Sequence, residues 1–262
     1  RSPLAAPAPR PSKLALLRQN MNAGGAAAFF KVLRDPTEAV PHAACADISC
    51  VDFAALRDAG VQGVLFDKDN TLTLPFEEDA HGPLRGALAA AVAAFGRDRV
   101  AVMSNSAGLT QFDPDGELAA DLEERLGVRV LRHAHKKPRG TREEIEAHFA
   151  GGGPVDAAGR VDVDVSGAKE RGKGGLGEGA AAFGTDRVLF VGDRILTDVV
   201  YGNRMGMLTL AVEPLAPRRD PISVRLARCI EGSLSALWRA VGARPPAHPL
   251  QEALFGALGM RR

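Results

Sequence analysis

Val61-Gln62-Gly63-Val64-Leu65-Phe66-Asp67-Lys68-Asp69-Asn70-Thr71-Leu72-Thr73 decides the fold. Val61 to Phe66 is a short apolar run that ends at two carboxylates, Asp67 and Asp69. A strand covered on both faces reads this way, because neither side meets water. Working outward, the same unit recurs. Arg99 to Met103 ends at Ser104, Val128 to Leu131 leads to Lys136-Lys137-Pro138, Val188 to Val191 ends at Gly192-Asp193, and Met207 to Val212 is a fifth run. Helical patterns fall between them at 84–95, 118–126, 142–149 and 199–205. This alternation predicts the α/β class: a Rossmann-like, doubly wound sheet of at least five parallel strands with helices on both faces. Ligands of such sheets sit beyond the carboxyl ends of the strands, where the polar residues just named fall.

The chain has 262 residues, 45% of them apolar, enough for one substantial core. Lys plus Arg (33) nearly balance Asp plus Glu (32), so net charge gives no reason to expect a nucleic-acid partner. No apolar run reaches the roughly 20 residues of a transmembrane helix. Three cysteines, Cys45, Cys50 and Cys229, make no disulfide framework, and Cys45 and Cys50 read as small buried hydrophobes. Three parts are predicted. Residues 1–34 are basic and acid-free, transit-like, with a Pro-rich start and an amphipathic stretch at 13–34. Residues 35–215 form the α/β domain, interrupted by a flexible Gly-rich insertion at 151–179. Within it, Gly172-Lys173-Gly174-Gly175 lacks the pattern and the preceding strand of a phosphate loop. Residues 216–262 form an amphipathic helical tail with the stripe Ile222, Leu226, Ile230, Leu234, Leu237, Trp238 and Val241. Core packing is the role expected of that stripe, and anionic lipid is the alternative, since Arg225, Arg228 and Arg239 lie among its residues.

The strand ends spell out phosphoryl-transfer chemistry, which needs an in-line nucleophile, a cation against phosphate charge and a proton donor. Asp67 can attack phosphorus as a carboxylate. Asp69 can protonate the leaving oxygen and then activate water. Magnesium takes oxygen ligands and keeps several waters, so Asp67, the main-chain carbonyl of Asp69 and Asp193 would suffice. Thr71, Ser104 and the backbone N–H of Asn105 can hold the transferring oxygens, and Lys137 supplies fixed positive charge. His133 and His135 lack a third metal ligand and read as ordinary core or surface histidines. Arg194 could meet a substrate phosphate or serve as a surface residue at a helix start; Tyr201 and Trp238 read as packing residues.

Taken together, DxDxT, Ser-Asn, Lys-Pro and GDxxxxD (Gly192 to Asp198), each at a strand end and in this order, resemble the haloacid-dehalogenase-like phosphatases. Asp67 to Phe76 (DKDNTLTLPF), with Ala39-Val40-Pro41-His42 and Asn20 to Gly25 upstream and Glu213-Pro214-Leu215 after the last run, is similar to the mitochondrial and plastid phosphatidylglycerophosphate phosphatases. The resemblance implies a magnesium-dependent hydrolase acting through an aspartyl-phosphate, at a mitochondrial inner membrane (matrix face) or in a plastid. It selects Lys137 over Lys136, since the family's lysine directly precedes the proline, and it gives Asp198 a supporting role beside Lys137 or a metal-bound water. The intervals from Asp67 to Ser104 and from Ser104 to Lys137 each hold one helix and its loops, which leaves no room for a cap domain. An open site suits a phosphomonoester on something large. A phospholipid headgroup at a membrane surface, reached by peripheral contact, is the expected substrate. A phosphoprotein, a nucleic-acid end, or a non-catalytic lipid- or protein-binding role are the competing readings.

Overall fold

The computed structural model describes residues 32, 34–150 and 183–260. The Gly-rich insertion at 151–179 and nearly all of the basic segment 1–34 lie outside them. Six strands form one sheet: β1 (Ala43–Cys45), β2 (Gly63–Asp67), β3 (Val100–Met103), β4 (Arg129–Val130), β5 (Val188–Gly192) and β6 (Leu208–Val212). Their order is β1-β6-β5-β2-β3-β4 and every pairing is parallel. Five of them are the predicted runs. The sixth, β1, is only 3 residues long with an exposed middle residue, so no apolar run announces it.

Side chains alternate cleanly through the sheet. Val64, Phe66, Val100 and Val102 enter one core, while Leu65, Ala101 and Met103 enter the other. The first core is closed by α1 (Phe53–Asp58), α2 (Arg85–Phe95) and α3 (Glu117–Leu126), and the second by α4 (Arg142–Phe149) and α5 (Val200–Arg204). The chain runs from β2 out to β3 and β4, then returns to the other side of β2 for β5 and β6. That reversal places the ligand-binding crevice at the carboxyl ends of β2 and its neighbours.

Local chemistry sets the helix limits. Asp52 caps α1 through its side chain, accepting from the Ala55 N–H at 3.0 Å. Thr141 and Glu144 make a reciprocal capping box at the start of α4. Gly96, at φ +81°, ends α2 in a conformation that side chains resist.

Two helices follow the sheet, α6 (Ile222–Ala240) and α7 (Gln251–Ala257). Leu254 and Ala257 of α7 join the first core, and the Asp52 N–H donates to the Ala257 carbonyl at 2.9 Å. His42 ties in the intervening chain: its ring nitrogens meet Thr209 Oγ1 at 2.8 Å and the Pro246 carbonyl at 3.0 Å. Burial above all, together with nearby His248, lowers its pKa to about 4.

The expected stripe of α6 splits. Trp238 is buried and Leu234 packs beside it, but Ile222, Leu226, Ile230, Leu237 and Val241 face outward. Core packing therefore fails for most of the stripe, because the helix docks by another face, which carries Arg228, Glu231 and Trp238. The expectation that Cys45 and Cys50 are buried is not met: Cys45 is half-buried and Cys50 is exposed. No helix of the described residues is long and apolar enough to cross a membrane.

Candidate active site

Four neighbouring strand ends meet along one edge. Asp67, the last residue of β2, lies opposite Met103, so Ser104 follows at the same level. Phe66 pairs with Val191, which brings Gly192 and Asp193 just beyond. The backbone turns sharply after β2: Asn70 adopts φ +65°, a conformation that asparagine tolerates better than most residues. The N–H groups of Thr71, Leu72 and Thr73 converge on the Lys68 carbonyl at 3.4, 3.0 and 3.0 Å. Asn70 Nδ2 donates to Asp220 at 2.8 Å, and its Oδ1 accepts from the Ala216 N–H at 2.9 Å. The loop is thus held from both sides.

After β3, the buried carboxylate of Asp113 accepts from the N–H groups of Gly108, Leu118 and Ala119 at 2.8, 3.0 and 2.9 Å. That fixes the loop carrying Ser104. His133 is buried between the carbonyls of Ser104 (2.9 Å) and His135 (2.7 Å), stitching the β3 loop to the chain after β4, and burial lowers its pKa. After β5, a π-type turn at Ile195–Val199 carries Asp198 back towards the strand end. There the Arg194 N–H donates to Asp198 Oδ2 at 3.0 Å. Gly192 is needed for this approach, since a Cβ there would stand 2.5 Å from the Cβ of Asp198.

The result is a buried charge cluster. Carboxylate oxygens of Asp67, Asp193 and Asp198 lie within 4.8 Å of one another. Lys137 Nζ, its side chain fully buried, pairs with Asp67 and with Asp198 Oδ1, the latter at 2.7 Å. Arg228 of α6 pairs with Asp193 Oδ2. Burial, then the neighbouring Asp198, pushes the Asp67 carboxyl well above its ordinary pKa. The same causes raise Asp193 to about 7, against the pull of Arg228. Burial would lower the Lys137 ammonium, but Asp198 and Asp67 hold it above its usual value. Three carboxylates facing two cations form a site with negative charge to spare. Asp193 Oδ1 is buried with no hydrogen-bond partner. Oxygen donors at this spacing, with one orphaned, fit magnesium.

Of the residues singled out in the sequence, Asp67, Lys137, Asp193 and Asp198 come together here. Lys136 does not share the Lys137 contacts; its Nζ lies 4.5 Å from the Phe112 ring centre. Asp69 stands outside the carboxylate cluster with its side chain half exposed, accepting from Lys68 Nζ at 3.1 Å and from the Phe76 N–H at 3.3 Å. Thr71 is buried, its Oγ1 without a partner. Ser104 Oγ is 3.2 Å from Ser106 Oγ, and Asn105 is exposed. Arg194 is engaged by Glu231, with contacts of 2.9 to 3.2 Å. Arg228, Asp220 and Glu231 carried no motif and were not singled out as site residues. Helical periodicity alone could have shown that Arg228 and Glu231 share a face.

A family model described as mitochondrial PGP phosphatase matches residues 23–164, and a HAD-hydrolase-like model matches residues 176–214. The chain is 42% identical over 240 residues to phosphatidylglycerophosphate phosphatase 1, chloroplastic, of Chlamydomonas reinhardtii, covering 91% of this chain and 77% of that protein. It is 38% identical over 237 residues to phosphatidylglycerophosphate phosphatase 1, chloroplastic/mitochondrial, of Arabidopsis thaliana, covering 90% of this chain and 59% of that protein. A probable phosphatidylglycerophosphatase, mitochondrial, of Schizosaccharomyces pombe is 28% identical over 194 residues, covering 71% of this chain and 79% of that protein. No solved structure matches the chain.

Proposed function

This chain belongs to the mitochondrial PGP phosphatase family, and from that premise we propose that it converts phosphatidylglycerophosphate to phosphatidylglycerol and inorganic phosphate. The observation that carries the reading is the cluster of Asp67, Asp193 and Asp198 around Lys137, at the carboxyl edge of a parallel sheet.

An Asp67 oxygen attacks phosphorus, and the bond from phosphorus to the glycerol oxygen breaks. The electron pair stays on that oxygen, which takes a proton from Asp69. Asp69, now a carboxylate, takes a proton from water, whose oxygen attacks phosphorus and frees Asp67. The half-exposed position of Asp69 suits a group that must meet both a bulky leaving alcohol and solvent water. Thr71, Ser104 and the Asn105 N–H hold the transferring oxygens; the unpartnered Thr71 Oγ1 supports that role. Lys137 balances charge on Asp67 and the phosphoryl group, and Asp198 holds Lys137 in place. Asp67, the Asp69 carbonyl and Asp193 would bind magnesium, which when present neutralises charge on the phosphoryl oxygens.

The site is open. The segments after β2 and β3 carry only turns and isolated bridges before the next helical elements, so among the described residues no cap domain covers it. A lipid headgroup can therefore reach Asp67 while its acyl chains stay in a bilayer. We assign the bilayer contact to the outer face of α6, where Ile222 is 81% and Leu226 62% exposed. Arg219 pairs with Glu77 at 2.7 Å, which brings exposed Phe76 near the start of that helix. Arg218 and Arg225 are also exposed there and match an anionic surface. We propose a peripheral location, on the matrix face of a mitochondrial inner membrane or in a plastid, in keeping with the chloroplastic and mitochondrial names of the relatives.

Phosphate release from phosphatidylglycerophosphate in mixed micelles, compared with a phosphopeptide and a 3′-phosphorylated oligonucleotide, tests the reading. We expect the lipid to be hydrolysed in preference, with magnesium and not with EDTA. Preference for either macromolecular substrate would overturn the lipid assignment. Failure to hydrolyse any phosphomonoester, a generic aryl phosphate included, would favour a binding role.

A further inference from the structure

Helix α6 reaches the metal-ligand loop with two opposite charges one turn apart. Arg228 pairs with Asp193 Oδ2, and one of its Nη nitrogens lies 3.5 Å from the Asp193 carbonyl. Glu231 takes the guanidinium of Arg194, the next residue along the loop, through its Nε and one of its Nη nitrogens. Two consecutive loop residues of opposite charge are thus gripped by two helix residues in the complementary order. Arg228 also reaches the nucleophile loop: its Nε donates to Asp220 Oδ2 at 2.7 Å, and Asp220 Oδ1 accepts from Asn70 Nδ2 at 2.8 Å. A single guanidinium therefore links the loops that follow β2 and β5.

We propose that Arg228 and Glu231 make α6 a clamp on the catalytic edge, with Arg228 the positioning residue that aims Asp193 Oδ1 at the magnesium. This rests on the reading of Asp193 as a metal ligand. A carboxylate held only by its backbone can rotate about its terminal torsion. Occupation of Oδ2 by a planar guanidinium removes that freedom and leaves Oδ1, buried and without a hydrogen-bond partner, as the oxygen left for a metal ion. Outer partners of metal ligands typically change affinity by about 10- to 100-fold when removed. The opposite face of α6 is the outward apolar stripe, so the helix that meets the bilayer also holds the metal ligand.

The test is a magnesium titration followed by thermal shift and by fluorescence of Trp238, the chain's only tryptophan, which lies buried on the docking face of α6. Arg228→Met should raise the half-saturating magnesium concentration about 10-fold or more in both readouts. The KM for substrate at saturating metal should stay unchanged. Arg228→Lys, which keeps charge but loses the planar fork, should recover only part of the affinity. Glu231→Gln should shift it in the same direction by less, and it serves as the second variant should Arg228→Met fold poorly. Wild-type magnesium affinity in Arg228→Met, or in Glu231→Gln where that variant stands in, would overturn the clamp. A wild-type protein with no magnesium-dependent shift would overturn the metal reading beneath it.

Discussion

Lys137 shows how much one buried residue carries. It faces Asp67 and Asp198 with its side chain wholly out of solvent. Lys137→Met would leave those carboxylates uncompensated, and breaking a buried pair from one side costs about 3–5 kcal/mol. We expect a lowered Tm together with lost turnover, part of the Tm recovered by magnesium. Protons and metal compete for the same oxygens. Asp193, raised to about 7, is largely protonated below that pH, and Asp67 shifts in the same direction. For a carboxyl raised by folding, the metal-free protein gains stability below the unfolded pKa and loses it as pH rises through the folded value. The magnesium-induced increment in Tm should therefore be small at about pH 5 and grow as pH rises through about 7. The increment is the quantity to follow, because His42 and His148, lowered to about 4 and about 3 chiefly by burial, make stability rise with pH in the metal-free protein. An increment independent of pH would contradict the shared site. Asp67 and Asp193 were legible in sequence because each follows an apolar run, whereas Lys137 was set apart from Lys136 only by the family resemblance, as the lysine before Pro138. Arg228, Asp220 and Glu231 were not, because their partners are distant in sequence and no motif spacing marks them.

At the scale of elements, β5 and its following turn act as one device. Gly192 lets the Asp198 side chain close over the strand end, where it reaches Lys137. Gly192→Ala would drive a Cβ against Asp198, and overpacking of this kind typically costs about 1–3 kcal/mol. Loss of turnover should exceed what that cost explains, since Asp198 and Lys137 would separate; measured activity and Tm changing in proportion would argue otherwise. Strands β2, β3, β5 and β6 were legible because strands buried on both sides in a parallel sheet need continuous apolar runs, and β4, of 2 residues, showed only through the wider run Val128 to Leu131. Strand β1 is held by pairing with β6 and by His42, and helices α1 and α7, of 6 and 7 residues, are too short to show a period. Helix α6 did show its period, but apolar residues on two faces merged into one apparent stripe. The ion pairs and the buried Trp238 reveal which face docks.

The molecule joins a strand edge that carries no cap domain among the described residues to an outward apolar helix face. Bilayer binding should therefore depend on the outer face of α6 and not on the chemistry. Leu226→Glu with Ile230→Glu should weaken sedimentation with anionic vesicles severalfold while turnover of a soluble aryl phosphate stays near wild type. Unchanged sedimentation would move the contact elsewhere on the surface. The central claim is covalent catalysis by Asp67, and phosphate release from phosphatidylglycerophosphate by Asp67→Asn tests it most directly. Asp198 at 2.7 Å still pairs with Lys137 in that variant, so the fold should persist. We expect wild-type folding with turnover reduced to background at any magnesium concentration. Substantial phosphate release by a folded Asp67→Asn protein would contradict the aspartyl-phosphate mechanism.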